Sequence, residues 1–355
     1  MSIIGCGPKK VFLGELETFT LTDDTISVRA DSVPIELYRS FSFAVHDSLF
    51  FSCVTTRNEN CLFKVFHAET GELLGSYFPY GHGSGEYLAV SPIMQLYEDE
   101  GQLKSLIYAP NENKLMKWNV TKSVRTGKTV CDEVIDGIDG RFSRFFYLGD
   151  ETMLTYIASV HISANDRITQ PKWQVRTYPA NELVKEFAEY QSINNKKSKI
   201  IPENFFYVFS GMKPDMKRMV EAMLYLPQIN IMNTDKAESK GYLMKGPDGY
   251  SIFHSDMAEA KEYYWGVQAD DKNIFALWFG KKNTEENYVS GADELHVFDW
   301  NGNMVKRVKL SSPVHYMSLD TSKGIIYGWN EGRDRVYRYR VKGMNVNNHH
   351  KQMKQ

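Results

Sequence analysis

The sequence lacks any surplus of positive charge. Its 355 residues carry 42 Lys and Arg against 44 Asp and Glu, a formal net charge of −2. Proteins that bind nucleic acid without sequence preference depend on such a surplus to neutralise phosphates, so we do not expect nucleic acid as a partner. No apolar run in the sequence approaches the roughly 18 residues that a membrane-spanning helix needs.

Recognisable catalytic and metal-binding motifs are also missing. The sequence has no HExxH pair, no GxSxG nucleophile motif and no group of His and Cys with metal-ligand spacing. Calcium needs several oxygen ligands converging within one loop, whereas the acidic residues here are spread along the chain. We therefore predict no catalytic residue, no metal and no cofactor.

Cysteine is scarce, with four in the chain. Cys53 and Cys61 lie on either side of a turn predicted at Thr56 to Asn58, so a hairpin centred there would place them opposite each other. Directly opposed cysteines can form a disulfide, although the geometry is demanding. The alternative, which we favour, is two small buried residues on adjacent strands.

What the sequence does contain is a recurring unit. A short acidic turn followed by a β-rich run occurs about six times, as at Asp47-Ser48 before Leu49 to Phe51. Several short strands at this spacing are typical of small sheets arranged radially in a β-propeller. We predict an all-β fold in which residues 23–343 form one six-bladed β-propeller with four antiparallel strands per blade. Residues 1–22 are predicted to be a truncated signal and tether, and residues 344–355 a disordered tail.

The innermost strand of each blade lines the central channel of a propeller. These strands are predicted at Phe41 to Val45, Ile93 to Tyr97, Phe142 to Leu148, Phe205 to Phe209, Tyr263 to Gln268 and Val314 to Leu319. Blade six lacks a fourth strand before the tail. The segment Thr25 to Ala30 alternates apolar and polar residues and is predicted to complete that blade, which removes an exposed sheet edge. Pro214 to Leu226 also fits an amphipathic helix, but its register favours a strand.

The first residues resemble a lipidation signal. Ile3-Ile4-Gly5-Cys6-Gly7 is similar to a bacterial lipobox, in which the Cys is acylated after cleavage. Only five residues precede Cys6, too few for a complete signal peptide. We predict that Cys6 is acylated and that residues 7–16 tether the propeller. The alternative is a buried Cys in a cytoplasmic protein.

Three motifs resemble those of the TolB-like six-bladed β-propeller lipoproteins, which are related to NHL-repeat propellers. They are the blade link Gly81-His82-Gly83-Ser84-Gly85-Glu86-Tyr87, the turn Lys213-Pro214-Asp215 and the hairpin around Asn301-Gly302-Asn303. Ser84 and Met216 depart from the usual pattern, where Pro and Gly are more common. The resemblance implies an envelope lipoprotein but no particular activity, since propellers host unrelated functions. We assign Gly81, Gly83, Gly85 and Glu86 a structural role, with Glu86 bonding neighbouring backbone.

Residues at the start of the innermost strands are predicted to line the rim of the central funnel. The predicted ligand-binding rim is Arg39, Arg141, Arg144, Tyr263, Tyr264, His315 and Tyr316, with Asn204 beside it. Arg side chains pair with oxyanions and aromatic faces stack on ligands, so this set suits a carboxylate, a phosphate or a sugar.

We therefore expect a non-catalytic binding or scaffold propeller in the periplasm or at the outer membrane. It would engage a protein, a peptide or a glycan at the funnel, and would contact the membrane only through an anchor at Cys6. The alternative is a propeller enzyme, a lyase or hydrolase that acts on a sugar or an ester in the same funnel. An enzyme needs an acid, a base or a metal converging on one substrate atom, so His315 beside a carboxylate would favour that alternative.

Overall fold

The structure is a computed structural model that describes residues 11–37, 39–54, 59–138, 142–158, 161–162, 167–168, 171–191, 206–246, 250 and 260–341. Cys6, Arg141, Asn204 and the tail 344–355 lie outside the described residues. The predictions made for them stay predictions.

The described chain is dominated by short strands. In chain order they are β1 Glu15–Phe19, β2 Thr25–Val28, β3 Ala30–Val33, β4 Ser40–His46, β5 Leu49–Val54, β6 Cys61–His67, β7 Leu73–Pro79, β8 Tyr97–Asp99, β9 Gln102–Ala109, β10 Lys114–Asn119, β11 Cys131–Asp136, β12 Phe142–Gly149, β13 Thr152–Ile157, β14 His161–Ile162, β15 Arg167–Ile168, β16 Lys172–Thr177, β17 Leu183–Phe187, β18 Val208–Met212, β19 Arg218–Met223, β20 Gln228–Asn233, β21 Glu238–Met244, β22 Lys261–Ala269, β23 Asn273–Lys282, β24 Ala292–Asp299, β25 Met304–Val314, β26 Tyr316–Asp320, β27 Ile325–Asn330 and β28 Arg335–Arg340.

These strands form six blades, so the predicted six-bladed propeller with antiparallel four-stranded blades is confirmed. Blade one is β4 to β7, blade two β8 to β11, and blade three β12, β13, β16 and β17. Blades four and five are β18 to β21 and β22 to β25, each with a fifth strand at its outer edge. Blade six is β26 to β28 completed by β3, and β14 pairs with β15 in a small separate hairpin.

Burial falls from the centre of each blade to its rim. The second strand of a blade is covered on both faces by the neighbouring blades: all six residues of β27 are buried. The sequences of such strands are therefore mostly apolar, without the alternation of a half-exposed strand. The outermost strand β17 has four exposed residues out of five. The hydrophobic core thus lies between adjacent blades, and apolar contact between sheets holds the ring together.

The described ranges hold two short α-helices, α1 at Val120–Thr126 and α2 at Glu285–Ser290. Each begins at a capping side chain: Asn119 accepts from the Lys122 amide, and Thr284 from the Asn287 amide. Within those ranges, no helix combines the length and the apolar character that crossing a membrane requires.

The hairpin predicted around Asn301-Gly302-Asn303 joins β24 to β25. Asp299 Oδ1 accepts hydrogen bonds from the Asn301 and Asn303 amides, each at 2.9 Å. Gly302 has a φ of 82°, and a Cβ there would lie 2.2 Å from the Tyr242 ring of blade four. Glycine is therefore required both by the backbone and by the close approach of the next blade.

The N-terminal segment closes the ring by a different route from the predicted one. β1 pairs in parallel with β21 of blade four, and β2 pairs in parallel with β25 of blade five. β3 then pairs antiparallel with β28 and completes blade six. The closing strand is thus Ala30–Val33, and the predicted segment Thr25 to Ala30 mostly serves blade five.

This error has a simple cause. Val28 and Val33 each end a short strand with one buried residue at its end, and they are 7% and 6% exposed. Alternation identifies a strand with one buried face but does not specify the blade edge that it joins. Within the segment predicted as signal and tether, Phe12 is 1% exposed and β1 pairs with β21 of blade four.

Two other local predictions have clear outcomes. The ambiguous segment Pro214 to Leu226 contains β19, so the strand assignment is confirmed over the helix. Cys53 pairs with Phe63 rather than with Cys61, because the register of β5 and β6 is shifted by two residues from the predicted hairpin. Both cysteines are free, in agreement with the favoured alternative, and burial raises the pKa of each thiol.

A buried carboxyl pair lies where blade three meets blade four. Glu189 and Glu221 are 5% and 1% exposed. Trp173 Nε1 donates to Glu221 Oε1 over 3.1 Å, and Asn230 Nδ2 lies 3.4 Å from Glu221 Oε2. Burial, and next the charge of Glu221, raise the pKa of Glu189 well above its usual value. The ionised form of Glu189 is therefore disfavoured in the folded protein.

The closure of blade six by β3 predicts the effect of truncating Val33. Val33→Ala removes buried methyl groups from the cluster that contains Tyr327 and Trp329. We expect it to lower the free energy of unfolding by roughly 1 to 3 kcal/mol, measured by urea denaturation. Ser32→Ala, on the exposed side of the same strand, should stay within about 0.5 kcal/mol of wild type. Equal effects of the two variants would contradict this closure.

The carboxyl pair predicts a dependence of stability on pH. A raised folded-state pKa contributes stability that is fully present below the unfolded value of 4.5 for Glu189 and is lost as the pH rises through the folded value. Glu189→Gln cannot ionise and keeps a donor for Glu221. The free energy of unfolding of this variant, relative to that of wild type, should therefore increase as the pH rises above 4.5. Urea denaturation between about pH 4 and pH 9 measures this difference. Glu182→Gln, at an exposed position before β17, is the control, and parallel curves for Glu189→Gln and wild type would refute the assignment.

Candidate functional site

The propeller has two faces, which we name by the innermost strands β4, β8, β12, β18, β22 and β26. These strands begin at the inlet face and end at the outlet face. A cavity of about 330 Å³ is lined by residues at the ends of β4, β18, β22 and β26 and by residues 93–98. It therefore lies at the outlet end of the central channel, whereas the predicted rim lies at the inlet end.

The lining of this cavity presents both polar and apolar surface. Its apolar side chains include Phe43, Val45, Met94, Met212, Met216 and Leu319. Three of these are methionines, which are flexible and polarisable and adapt to ligands of different shape.

Residues 93–98 enter the cavity because blade two has a short innermost strand. The strand predicted at Ile93 to Tyr97 is replaced by β8, Tyr97–Asp99. The side chain of Gln95 instead bonds to the innermost strand of blade three. Its Nε2 donates to the Tyr147 carbonyl at 3.0 Å, and its Oε1 accepts from the Tyr147 amide at 2.8 Å. These two hydrogen bonds to blade three fix the preceding Met94 at the cavity wall.

The charged residues of the lining are engaged with each other or with neighbours. His46 Nε2 lies 4.0 Å from Glu98 Oε1. Lys213 pairs with Asp215 and lies 4.0 Å from Asp271. Although burial opposes ionisation of Asp215, its hydrogen bond from Lys213 holds the pKa of that carboxyl below its usual value. The cavity thus has a largely neutral wall with charge pairs at its edge.

Part of the predicted rim does lie at the inlet face. Arg39 precedes β4, Tyr263 lies near the start of β22, and Tyr316 starts β26; all three are half-buried. Tyr263 packs on Trp278 and Tyr316 stacks on Trp329, with ring centroids 5.6 Å and 5.0 Å apart. Arg39 has a φ of 69°, a left-handed conformation that is uncommon for a residue with a side chain.

The other described rim residues are used within the protein. Arg144 donates to the Val208 carbonyl at 2.5 Å and lies over the Tyr156 ring, so it joins blades three and four. Tyr264 is 0% exposed, because a register shift of β22 at this point turns it between the blades. His315 is 3% exposed and bonds to the Tyr288 carbonyl at 2.7 Å. The expectation that Tyr264 and His315 are exposed at the funnel rim is therefore corrected.

The glycine-rich link between blades one and two is held by its own glutamate. Glu86 Oε2 accepts a hydrogen bond from the Gly83 amide at 2.8 Å, which is the local role predicted for it. A Cβ at Gly81 would lie 2.0 Å from the same carboxylate oxygen. Gly85 has a φ of 78°. The link thus needs small residues for its own turn.

Blade five contains an arrangement that resembles a catalytic relay in its residue types. Tyr264 OH lies 3.2 Å from His296 Nδ1, and His296 Nε2 lies 3.2 Å from Glu294 Oε1 without the alignment of a hydrogen bond. Arg307 donates to both oxygens of Glu294. Burial opposes ionisation of Glu294, but His296 and Arg307 hold its pKa at about 2, while burial lowers the pKa of His296. Tyr264 and His296 are both 0% exposed, so this arrangement supports packing rather than substrate binding.

An enzyme in the funnel would need an acid, a base or a metal ion at one point, for example His315 beside a carboxylate. No carboxylate among the described residues lies within ion-pair distance of His315, whose ring nitrogens face backbone groups. Nor does the described part of the chain bring together three or more His, Cys, Asp or Glu side chains that could hold a metal ion.

Sequence reasoning missed two exposed tyrosines at the inlet face. Tyr207 precedes β18 and is 45% exposed, and Tyr288 lies in α2 and is 38% exposed. Tyr288 is in a connection between the second and third strands of blade five, outside the strand starts from which the rim was predicted. Its exposure depends on how α2 folds back, which no periodicity reveals.

Solved structures with the same fold include a protein described as exported, from Bacteroides fragilis, and a luciferin-regenerating enzyme. The first is 11% identical with a TM-score of 0.51, over 92% of this chain and 98% of its own. The second is 9% identical with a TM-score of 0.50, over 89% of this chain and 96% of its own. At such identities the likeness shows the fold alone. No curated protein matches the sequence.

The sequence itself matches one family profile, over residues 24–321. The match runs from the N-terminal strands to the end of β26, and so covers most of the six blades. It agrees with the resemblance drawn from the blade link and the hairpin motifs. This chain belongs to the family described as TolB-like 6-blade propeller-like.

Proposed function

We propose that this protein is a non-catalytic binding propeller of the bacterial cell envelope, which receives an apolar side chain of a protein or peptide partner in the outlet-face cavity. The cavity is the observation that carries this proposal. Its volume of about 330 Å³ is at the lower end of the range of ligand pockets. It suits one side chain or a short peptide segment.

The chemistry of the lining favours a peptide over a glycan. Met94, Met212 and Met216 provide an adaptable apolar wall, of the kind that accepts more than one apolar partner. A glycan needs many hydrogen-bonding groups. Here the amide of Gln95 is bonded to Tyr147, and Lys213 is paired with Asp215.

The alternative of an enzyme in the same channel has less support. An acyl or glycosyl transfer would need a nucleophile, an acid or a base aimed at one point of the cavity. The ionisable lining residues are His46, Tyr97, Glu98 and Lys213. Glu98 is exposed, and Lys213 has its own carboxylate partner.

Location in the envelope is part of the proposal and is supported by the lipobox resemblance at Cys6. The Val11 carbonyl accepts from the Gln191 amide at 2.9 Å, and the Leu13 amide donates to the Glu189 carbonyl at 2.7 Å. Since five residues of extended chain span at most about 17 Å, an anchor at Cys6 would hold the joint of blades three and four close to the membrane.

Filling the cavity tests the proposed function. We expect the protein to bind immobilised heptapeptides with a central Leu, Met or Phe more tightly than the same peptides with a central Ser. Met212→Trp places an indole in the cavity and should weaken that binding about tenfold or more, in line with losing the burial of one large side chain. Fluorescence anisotropy on the strongest array peptides gives the affinities.

The matched control is Val305→Trp, which adds the same side chain at an exposed position of β25. It should leave peptide affinity within about twofold of wild type, and both variants should keep the strand-rich circular dichroism spectrum. Peptide binding that does not distinguish apolar from Ser centres, or that survives Met212→Trp, would contradict the proposed function.

Lipidation is tested separately. In cells that express the natural gene product, palmitate should label the wild type and the control Cys131→Ala, and labelling should be lost in Cys6→Ala. The reason is that only the Cys of a lipobox is acylated, whereas Cys131 lies on the propeller. Equal labelling of Cys6→Ala, or none of the wild type, would remove the anchor from the proposal and leave the cavity untouched.

A further inference from the structure

Two tyrosines and one carboxylate lie together on the inlet face, and a third tyrosine, Tyr207, precedes β18 on the same face. Tyr207 and Tyr288 are 45% and 38% exposed, Tyr316 is half-buried and Glu331 is exposed. Tyr288 OH donates to Glu331 Oε2 over 2.5 Å. The Tyr316 hydroxyl lies beside both Tyr288 and Glu331, and Tyr207 is close enough to contribute, after burial and Glu331, to the raised pKa of Tyr316.

The rings of this group are fixed from below. Tyr316 stacks on Trp329 with centroids 5.0 Å apart and planes 23° apart, and Tyr288 packs on His315 at 4.9 Å. His315 Nδ1 accepts from the Glu331 amide at 3.1 Å, so its proton is on Nε2, which donates to the Tyr288 carbonyl at 2.7 Å. His315 is thus a positioning residue that ties Tyr288 to Glu331.

Glu331 brings a carboxylate into direct contact with Tyr288. Burial and then the neighbouring Glu331 raise the pKa of Tyr288, so its hydroxyl stays protonated and donates to that carboxyl. Aromatic faces also carry negative potential. An anion is repelled by such a site. A calcium ion needs six or more oxygen ligands, and this group offers one carboxylate.

We propose that Tyr207, Tyr288, Tyr316 and Glu331, which we call the tyrosine cluster, bind a compact organic cation, with a methylated ammonium group as the best-fitting chemistry. Aromatic faces attract such cations by cation–π contact, and several rings around one site are typical of methylammonium recognition. Methyl groups also lower the cost of removing the cation from water. The tyrosine cluster is on the opposite face from the cavity, so it would act independently of the proposed peptide binding.

The test uses choline and its neutral isostere 3,3-dimethylbutan-1-ol. The two have the same shape and differ in charge, so their ratio isolates the electrostatic part of binding. We expect isothermal titration of the full chain at low salt to give choline an affinity about tenfold higher or more, and salt to weaken it. Equal affinities for the two compounds, or no binding of choline at tens of millimolar, would overturn the proposal.

Variants separate the ring from the hydroxyl and the charge. Tyr316→Leu and Glu331→Gln should each weaken choline binding about tenfold, while Tyr316→Phe keeps the ring and should stay within about threefold. Tyr80→Leu removes an exposed tyrosine of the blade one to blade two link and should have no effect, and neither should Met212→Trp. Wild-type choline binding by a folded Tyr316→Leu variant would overturn the proposal, as would tighter binding of a neutral disaccharide at these residues.

Two further arms distinguish the natural sources of the cation. A peptide with trimethyllysine and a vesicle of phosphatidylcholine present the same ammonium group on a protein and on a lipid. Binding of either one that depends on Tyr316 and Glu331 supports the site. If free choline binds and both larger carriers are rejected, the ligand is a free small molecule.

Discussion

The pairing of β3 with β28 is the constraint on which the rest of the structure depends. Without it, blade six would have three strands and an open edge. No strand from the N-terminal segment would then join the last blade of the ring. The same N-terminal segment first crosses the outer edges of blades four and five. One stretch of chain therefore fastens three neighbouring blades, and it begins at the joint where Glu189 and Glu221 are buried.

A closed ring gives the two faces different chemistry. The innermost strands end around a cavity whose apolar part includes three methionines, since the second blade contributes an irregular segment in place of a full strand. The same strands begin beside tyrosines whose rings rest on Trp329 and His315. Neither site is made by one blade. Each depends on the angular spacing of several blades, and hence on closure.

Much of the fold can be predicted from the sequence, because acidic turns and apolar runs are local signals that recur in each blade. The choice between β2 and β3 as the closing strand could not be predicted, since both are four-residue strands that end in a buried valine and their sequences do not specify the blade edge that they join. Next to the shortened β8, the Gln95 side chain bonds to Tyr147 of blade three, a long-range contact that local signals do not reveal. Of the predicted rim residues, Tyr263 and Tyr316 lie at the inlet face. Tyr264 is buried at a register shift of β22, and His315 is buried and bonded to the Tyr288 carbonyl. The cavity was missed because it gathers residues from separate blades.

Amide hydrogen exchange followed by mass spectrometry tests the central claim of closure most directly. Backbone amides that a strand bonds into a sheet exchange only when that sheet opens. The account predicts that a peptide covering residues 24–37 is protected to the same degree as a peptide covering residues 334–341, because both belong to the edge of blade six and its neighbour. If residues 24–37 exchanged within seconds while residues 334–341 stayed protected for hours, the N-terminal strand would not close the ring.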